Sequence, residues 1–125
     1  MNKILIVDDA VTVRMYHKHL VESLGYEVEE AENGIEALEK MYDFAADACL
    51  VDVNMPKMDG YRFVEELRQI PDLQHTPVIM VSTEAEPDDQ EKAFAAGANF
   101  YLVKPAKPDD IQQYTQLIAG VVTHG

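Results

Sequence analysis

The sequence predicts a doubly wound α/β domain, in which helices cover both faces of a parallel β-sheet. Short apolar runs without polar alternation recur along the chain, as expected for strands that are buried on both faces. Each run is followed by a segment whose apolar residues have helical spacing. This alternation occurs five times, and strict strand–helix alternation favours parallel strands joined by helices.

Length and composition describe one acidic globular domain. The 125 residues, 47% of them hydrophobic, are enough for a single core. The formal net charge of −13 argues against nucleic-acid binding, which needs clustered lysine and arginine. The single cysteine, Cys49, lies in an apolar run and is predicted to be buried and unpaired, as in a reducing compartment. Without a membrane-length apolar run or a signal peptide, we expect a cytoplasmic monomer that binds neither membrane nor nucleic acid.

The first two strand–helix units begin at the N-terminus. Residues 4–7 are predicted to form a strand that ends at Asp8 and Asp9, and residues 26–31 a second strand near a sheet edge. The helix between them ends at Gly25. The second helix follows an Asn-Gly turn. The predicted inward faces are Val13, Tyr16, Leu20 and Leu24 for the first helix and Ile35, Leu38, Tyr42 and Ala45 for the second.

The third unit contains the most informative stretch of the chain. The apolar run of residues 48–53 delivers one carboxylate, Asp52, and then breaks at Pro56 and Gly60. A charged residue at the end of such a run is expected at the mouth of a buried strand. The third helix follows, with Phe63, Val64, Leu67 and Ile70 inward.

The last two units have proline at their boundaries. Residues 78–81 form the fourth strand, ending at Ser82 and Thr83, and an alanine-rich helix runs from Pro87 to a cap at Gly97. The fifth strand, residues 100–103, ends at Lys104-Pro105, and the last helix starts at Pro108 with Ile111, Tyr114, Ile118 and Val121 inward. Since only Thr123, His124 and Gly125 remain near the end, we expect a single domain over residues 1–125 with no output domain.

Functional groups are predicted to meet at one edge of the sheet. For five parallel strands of this length, the flavodoxin-like order 2-1-3-4-5 fits better than the alternative. In such sheets, functional groups collect at the carboxyl ends of strands, beside the switch point between strands 1 and 3. The residues at those ends are Asp8, Asp9, Asp52, Ser82 and Lys104.

The chemistry of this group suits phosphoryl transfer. Three converging carboxylates repel one another unless a cation lies among them, and hard oxygen ligands suit Mg²⁺. A carboxylate beside that metal can attack phosphorus, provided that cations and donors face the equatorial oxygens. Lys104 supplies a charge and Ser82 a hydroxyl, and Asp52, on the central strand, is the natural nucleophile.

Each residue also has a plainer interpretation when taken alone. Asp52 is compatible with a simple turn, Asp8 or Asp9 with a helix N-cap, and Lys104 and Ser82 with turn residues. Their joint occurrence at strand ends favours the functional interpretation. His17 and His19, two residues apart, would not share a helix face, so we do not predict a metal pair there.

With these residues the chain resembles response regulator receiver domains, and specifically their single-domain, chemotaxis-type (CheY-like) members. Six motifs carry the resemblance in order along nearly the whole chain: Ile6-Val7-Asp8-Asp9, Val51-Asp52-Val53-Asn54-Met55-Pro56, Met58-Asp59-Gly60, Met80-Val81-Ser82, Gly97-Ala98 and Val103-Lys104-Pro105. The resemblance implies phosphorylation of Asp52 by a histidine kinase. It also implies Mg²⁺ bound by Asp9, Asp52 and the Asn54 carbonyl, with Asp8 contacting the metal through water.

The resemblance further implies a conformational switch. Lys104 and Ser82 would bind the phosphoryl oxygens, and the Lys104–Pro105 bond would be cis. Ser82 would move towards the phosphoryl group while Tyr101 turns inward, which remodels the surface of helix 4, strand 5 and helix 5. A rim tyrosine half-packed on the sheet is the competing interpretation of Tyr101.

Several positions depart from the family pattern. Ser82 replaces the more usual threonine, Thr83 stands where a small residue is common, and Ala106 stands where an aromatic residue often follows Lys-Pro. Helix 4 also has an acidic start, where motor-binding chemotaxis regulators tend to have lysine: Glu86, Asp88, Asp89 and Glu91. These acids argue against the flagellar switch as the partner.

The sequence therefore predicts a stand-alone signalling protein of a two-component system, most simply in chemotaxis. It would act with Mg²⁺, a sensor histidine kinase and a downstream protein target, with no enzymatic activity beyond phosphotransfer and dephosphorylation at its own aspartate. The alternatives are a phosphorelay shuttle to a histidine phosphotransfer protein and a regulator of kinase or cell-cycle signalling. A phosphohydrolase is disfavoured by Asn54, where such enzymes usually have a second acid, and a flavodoxin by Asp8-Asp9, where FMN needs a phosphate cradle.

Overall fold

The computed structural model describes residues 2–122 and shows five parallel strands and five helices in strict alternation. The strand order is β2-β1-β3-β4-β5, which confirms the predicted topology. Thr123 to Gly125, after which we expected no output domain, lie outside the described residues. The elements are β1 (Lys3–Val7), α1 (Val11–Glu22), β2 (Glu27–Ala31), α2 (Gly34–Phe44), β3 (Ala48–Asp52), α3 (Gly60–Leu67), β4 (Val78–Ser82), α4 (Pro87–Ala96), β5 (Phe100–Val103) and α5 (Pro108–Ala119).

Two hydrophobic cores lie on opposite faces of the sheet. Because side chains alternate across a strand, neighbouring residues of one strand enter different cores. Leu5 and Val51 belong to the core beneath α2, α3 and α4, whereas Ile6 and Leu50 belong to the core beneath α1 and α5. This double burial explains why the central strands read as continuous apolar runs.

The β3–α3 connection is fixed by a close backbone approach. The Gly60 N–H donates to the carbonyl of Val53 at 2.8 Å, and the Asp59 carboxylate caps α3 by accepting from the Arg62 N–H at 2.9 Å. A Cβ on Gly60 would overlap the carbonyl oxygen of Asp52. The loop that follows Asp52 therefore requires glycine at this position.

Three predicted helix faces need correction. Tyr16 of α1 is 42% exposed, whereas its neighbour His17 is buried. In α2, Ile35 and Tyr42 face solvent, and the buried residues are Gly34, Ala37 and Met41. In α5, Thr115 is buried and Val121, beyond the end of the helix, is exposed. Within residues 2–122, no helix combines the length and hydrophobicity that crossing a bilayer needs.

Candidate functional site

The carboxyl ends of β1 and β3 bring three aspartates together. The two strands are paired, with Val7 opposite Val51, so the residues that follow lie side by side at the sheet edge. Asp8 and Asp52 are buried and Asp9 is exposed. One carboxylate oxygen from each lies within 4.8 Å of the others. The group is therefore compact enough for one cation.

Lys104 reaches this group from the end of β5. Its Nζ donates to Asp8 Oδ2 at 2.8 Å and to Asp52 Oδ1 at 3.1 Å. The Lys104–Pro105 peptide bond is cis, as the resemblance implied. The ammonium group thus bridges two of the three aspartates.

The electrostatics of the group leave an excess of negative charge. Burial, followed by the neighbouring charge of Asp8, raises the pKa of Asp52 from 3.8 to about 6, although Lys104 opposes this shift. Burial lowers the pKa of Lys104, but its hydrogen bond to Asp8 and the charge of Asp52 outweigh burial and raise it. One ammonium group therefore only partly compensates three carboxylates, and a divalent cation would complete the balance.

The donor set fits Mg²⁺. Carboxylate oxygens are its preferred protein ligands, and the exposure of Asp9 leaves room for the waters that this ion retains. Asn54, whose carbonyl is the fourth predicted ligand, lies two residues beyond β3 with an exposed side chain. Its amide donates to Glu84 Oε1 at 3.3 Å.

Ser82 and Tyr101 meet at one residue of the β4–α4 loop, Glu84. The buried Ser82 hydroxyl oxygen accepts from the Glu84 N–H at 3.1 Å. The hydroxyl of Tyr101, which is half-buried, donates to the Glu84 carbonyl at 2.6 Å. Burial raises the pKa of Tyr101, so this donor stays protonated near neutral pH. Glu84 thus links three predicted site residues through its N–H, its carbonyl and its carboxylate.

Sequence reasoning missed Glu84 and Arg14. Arg14 Nη1 donates to the Asp8 carbonyl at 2.6 Å while its Nε pairs with Glu30 at 3.1 Å. Spacing along α1 does not mark Arg14, because its role depends on contacts with other elements. The N-cap interpretation of Asp8 is wrong, because the N-cap of α1 is Ala10 and carries no side-chain cap. Asp8 Oδ1 instead accepts from the Ala10 N–H at 2.9 Å in a local turn that precedes the helix.

Comparison with known sequences gives one family. The profile described as "Response regulator receiver domain" matches residues 4–116. The chain is 39% identical over 121 residues to the chemotaxis protein CheY1 of Helicobacter pylori, covering 94% of this chain and 97% of that protein. It is 41% identical over 102 residues to the gliding motility regulatory protein of Myxococcus xanthus, of whose length the match spans 13%.

Solved structures give the same result. The chemotaxis protein CheY4 of Vibrio cholerae superposes with a TM-score of 0.89 at 38% identity, covering 94% of this chain and 98% of that chain. A sensor histidine kinase receiver domain from Pseudomonas aeruginosa, described with a magnesium ion coordinated in its active site cleft, gives a TM-score of 0.88 at 32% identity. That match covers 95% of this chain and 98% of the other.

Proposed function

Because the chain belongs to the family of response regulator receiver domains, we propose that it accepts a phosphoryl group on Asp52 from a sensor histidine kinase and signals through a protein partner. One observation carries the assignment of Asp52: Lys104 Nζ lies 3.1 Å from Asp52 and 2.8 Å from Asp8. A lysine held there directs positive charge at the oxygen atoms of any group that joins Asp52.

Asp52 is the nucleophile of the proposed reaction. One of its carboxylate oxygens attacks phosphorus, the bond between phosphorus and the donor nitrogen breaks, and the electron pair stays on that nitrogen. The reaction needs ionised Asp52, and a pKa of about 6 leaves most of the carboxylate ionised near neutral pH. We propose that Asp8, Asp9, Asp52 and the Asn54 carbonyl hold Mg²⁺. When bound, the ion supplies positive charge against the transferring phosphoryl oxygens.

Lys104, Ser82 and Tyr101 are the proposed switch residues. A new phosphoryl group on Asp52 would compete for the Lys104 ammonium and for the Ser82 hydroxyl, which now accepts from the Glu84 N–H. Because the Glu84 carbonyl also accepts from Tyr101, a shift of Ser82 would reach Tyr101 through one residue, Glu84. We expect the added charge to bias a two-state equilibrium of the surface formed by α4, β5 and α5.

The downstream partner is proposed to be a chemotaxis protein. Support comes from the match to CheY1 of Helicobacter pylori, which spans 94% of this chain. A phosphorelay shuttle is the second candidate, because the chain is also 32–33% identical to receiver domains of histidine kinases. No turnover of external substrates is proposed, since Asn54 offers no second acid beside Asp52.

Phosphotransfer profiling tests the proposal and separates the two candidates. Candidate kinases carrying labelled phosphate would be mixed with the chain in Mg²⁺, with Asp52→Asn as control. Label that appears on wild type alone supports Asp52 as acceptor, and label on neither protein with any kinase contradicts it. Onward transfer to a histidine phosphotransfer protein would favour the shuttle, whereas phosphorylation-dependent capture of a target without transfer would favour direct signalling.

A further inference from the structure

Every polar atom of Asp8 has a hydrogen-bond partner. Its N–H donates to the Ala31 carbonyl at 3.0 Å, and its own carbonyl accepts from Arg14 Nη1 at 2.6 Å. Its two carboxylate oxygens accept from the Ala10 N–H at 2.9 Å and from Lys104 Nζ at 2.8 Å. The backbone and the side chain of this aspartate are therefore both fixed by neighbouring elements.

The side chain of Asp9 is positioned by its backbone instead. Lys104 binds the carboxylates of Asp8 and Asp52, whereas the exposed Asp9 carboxylate accepts no hydrogen bond from residues 2–122. Because a peptide unit is planar, the orientation of the Asp8 carbonyl fixes the N–H and the Cα from which the Asp9 side chain departs. The side chain that binds this carbonyl is that of Arg14.

Arg14 lies in the first turn of α1 and is itself held in place. Its N–H donates to the Ala10 carbonyl at 2.9 Å, and helical side chains extend back towards the N-terminus of their helix. The guanidinium thereby reaches Asp8, six residues earlier, while its Nε pairs with Glu30 of β2 at 3.1 Å. Lys18 Nζ binds the other Glu30 oxygen at 3.1 Å. With only 14% of its side chain exposed, Arg14 links α1 and β2 to the peptide that follows Asp8.

We propose that Arg14 is a positioning residue for the Mg²⁺ site, because it fixes the peptide between Asp8 and Asp9 and thereby directs the Asp9 carboxylate towards the other two. The inference rests on the proposed function, which supplies the metal. The planar guanidinium suits this role, since its donors leave in fixed directions and bind the Asp8 carbonyl and the Glu30 carboxylate together. A lysine, with one ammonium group on a flexible chain, does not hold two such acceptors in fixed directions.

Charge and positioning predict opposite effects on Mg²⁺ affinity when Arg14 is removed. The guanidinium carries a positive charge that repels the metal, so loss of the charge alone would raise the affinity. Loss of ligand positioning lowers the affinity instead, and residues that orient metal ligands typically contribute about 10- to 100-fold. The sign of the change therefore identifies the role of Arg14.

The test is a Mg²⁺ titration of the full chain, followed by NMR at constant ionic strength and without any phosphodonor. Arg14→Met removes the charge and both hydrogen bonds, whereas Arg14→Lys keeps the charge but loses the planar fork. Lys18→Met is the matched control, because it removes a charge from the same helix and the same Glu30 cluster. The carbonyl carbon shift of Asp8 reports the hydrogen bond itself in each protein. Arg14→Lys carries the test if urea titration shows that Arg14→Met does not fold.

We expect the Mg²⁺ dissociation constant to rise about tenfold in Arg14→Met and by a smaller factor in Arg14→Lys, with a shifted Asp8 carbonyl signal in both. Lys18→Met should bind Mg²⁺ as tightly as the wild type or slightly more tightly. Unchanged or tighter binding in either folded Arg14 variant overturns the inference, and so does an equal loss of affinity in Lys18→Met. A wild type that does not bind Mg²⁺ would instead contradict the proposed metal site itself.

Discussion

At the scale of single residues, the site depends on how charge is divided around Lys104. Its ammonium group binds both Asp8 and Asp52, yet the pKa of Asp52 is still raised to about 6, because burial and the charge of Asp8 outweigh one lysine. A site of this kind disfavours its own ionised nucleophile until another cation arrives. This imbalance favours binding of Mg²⁺, whose charge would compensate the carboxylates and the oxygen atoms of an incoming phosphoryl group.

The first prediction concerns Asp52→Asn. The amide cannot attack phosphorus but has almost the same shape, so acyl-phosphate-dependent labelling should be abolished while the circular dichroism spectrum stays unchanged. The exposed Asp43→Asn is the control and should label like the wild type. Labelling that persists in Asp52→Asn would place the phosphoacceptor elsewhere.

The second prediction concerns Lys104→Ala. Loss of the ammonium group removes a competing positive charge from the aspartates, so Mg²⁺ affinity should stay nearly unchanged or rise slightly. Binding of the partner should no longer respond to a phosphoryl mimic, because no cation then links the phosphoryl oxygens to the end of β5. Lys107→Ala, at an exposed neighbouring lysine, should keep the response. Unchanged partner affinity in Lys104→Ala would argue against a signalling role for this lysine.

The third prediction is a pH dependence of stability in the metal-free protein. The folded state raises the pKa of Asp52 from 3.8 to about 6, so between these values the folded state binds more protons than the unfolded state. The free energy of unfolding should therefore fall as the pH rises through this window, by on the order of 1–3 kcal/mol from this group. Urea titrations of the wild type and of Asp52→Asn, with chelator present, measure it. Equal pH slopes for the two proteins would show that Asp52 is not perturbed.

The acidic residues and the lysine could be predicted from the sequence because each lies at the carboxyl end of a strand. Strand ends of a parallel sheet share one edge, so chain position alone predicts that Asp8, Asp52 and Lys104 face the same rim. Glu84 and Arg14 could not be found in this way. Their roles come from contacts between elements, which residue spacing within one element does not determine.

At the scale of elements, α2 shows where hydrophobic patterning fails. The pattern placed the large residues Ile35 and Tyr42 inward, but the helix packs through Ala37 and Met41. Its first residue, Gly34, donates its N–H to the Met58 carbonyl at 3.0 Å, and a side chain there would meet Met58. Close approach to the β3–α3 loop therefore requires a small residue at Gly34, and this packing constraint at the start of the helix is not visible in the hydrophobic pattern.

The fourth prediction belongs to this loop. Gly60→Ala should lower the free energy of unfolding by at least about 2 kcal/mol, because the new Cβ overlaps a backbone oxygen that cannot move without shifting β3. Gly34→Ala should lose less, since its closest backbone contact, the Met58 carbonyl oxygen at 2.9 Å, is less severe than the overlap at Gly60. Chemical denaturation gives both values. A Gly60→Ala protein as stable as the wild type would mean that the loop after Asp52 is not held in this conformation.

At the scale of the whole molecule, the sheet order was predictable because length and alternation leave few topologies. The two cores follow from it, since β1, β3 and β4 each contribute side chains to both faces. The burial of individual residues was harder to predict from the sequence. Tyr16 and Val121, for example, are exposed despite their apolar character. Central strands are therefore predicted better than helices, because both of their faces must be apolar.

The fifth prediction uses Cys49 to connect the site with global stability. This thiol is fully buried in β3, three residues before Asp52, and burial raises its pKa to about 12. Labelling by a thiol reagent at pH 8 should therefore require unfolding of the central sheet. Its rate should equal the rate with a free thiol multiplied by the unfolding equilibrium constant measured in urea.

Mg²⁺ at ten times its dissociation constant should slow labelling of Cys49 about tenfold in the wild type, because only the folded state binds the ion. Asp52→Asn, which lacks one proposed ligand, should show much less slowing. Labelling faster than global unfolding would instead reveal local opening of β3.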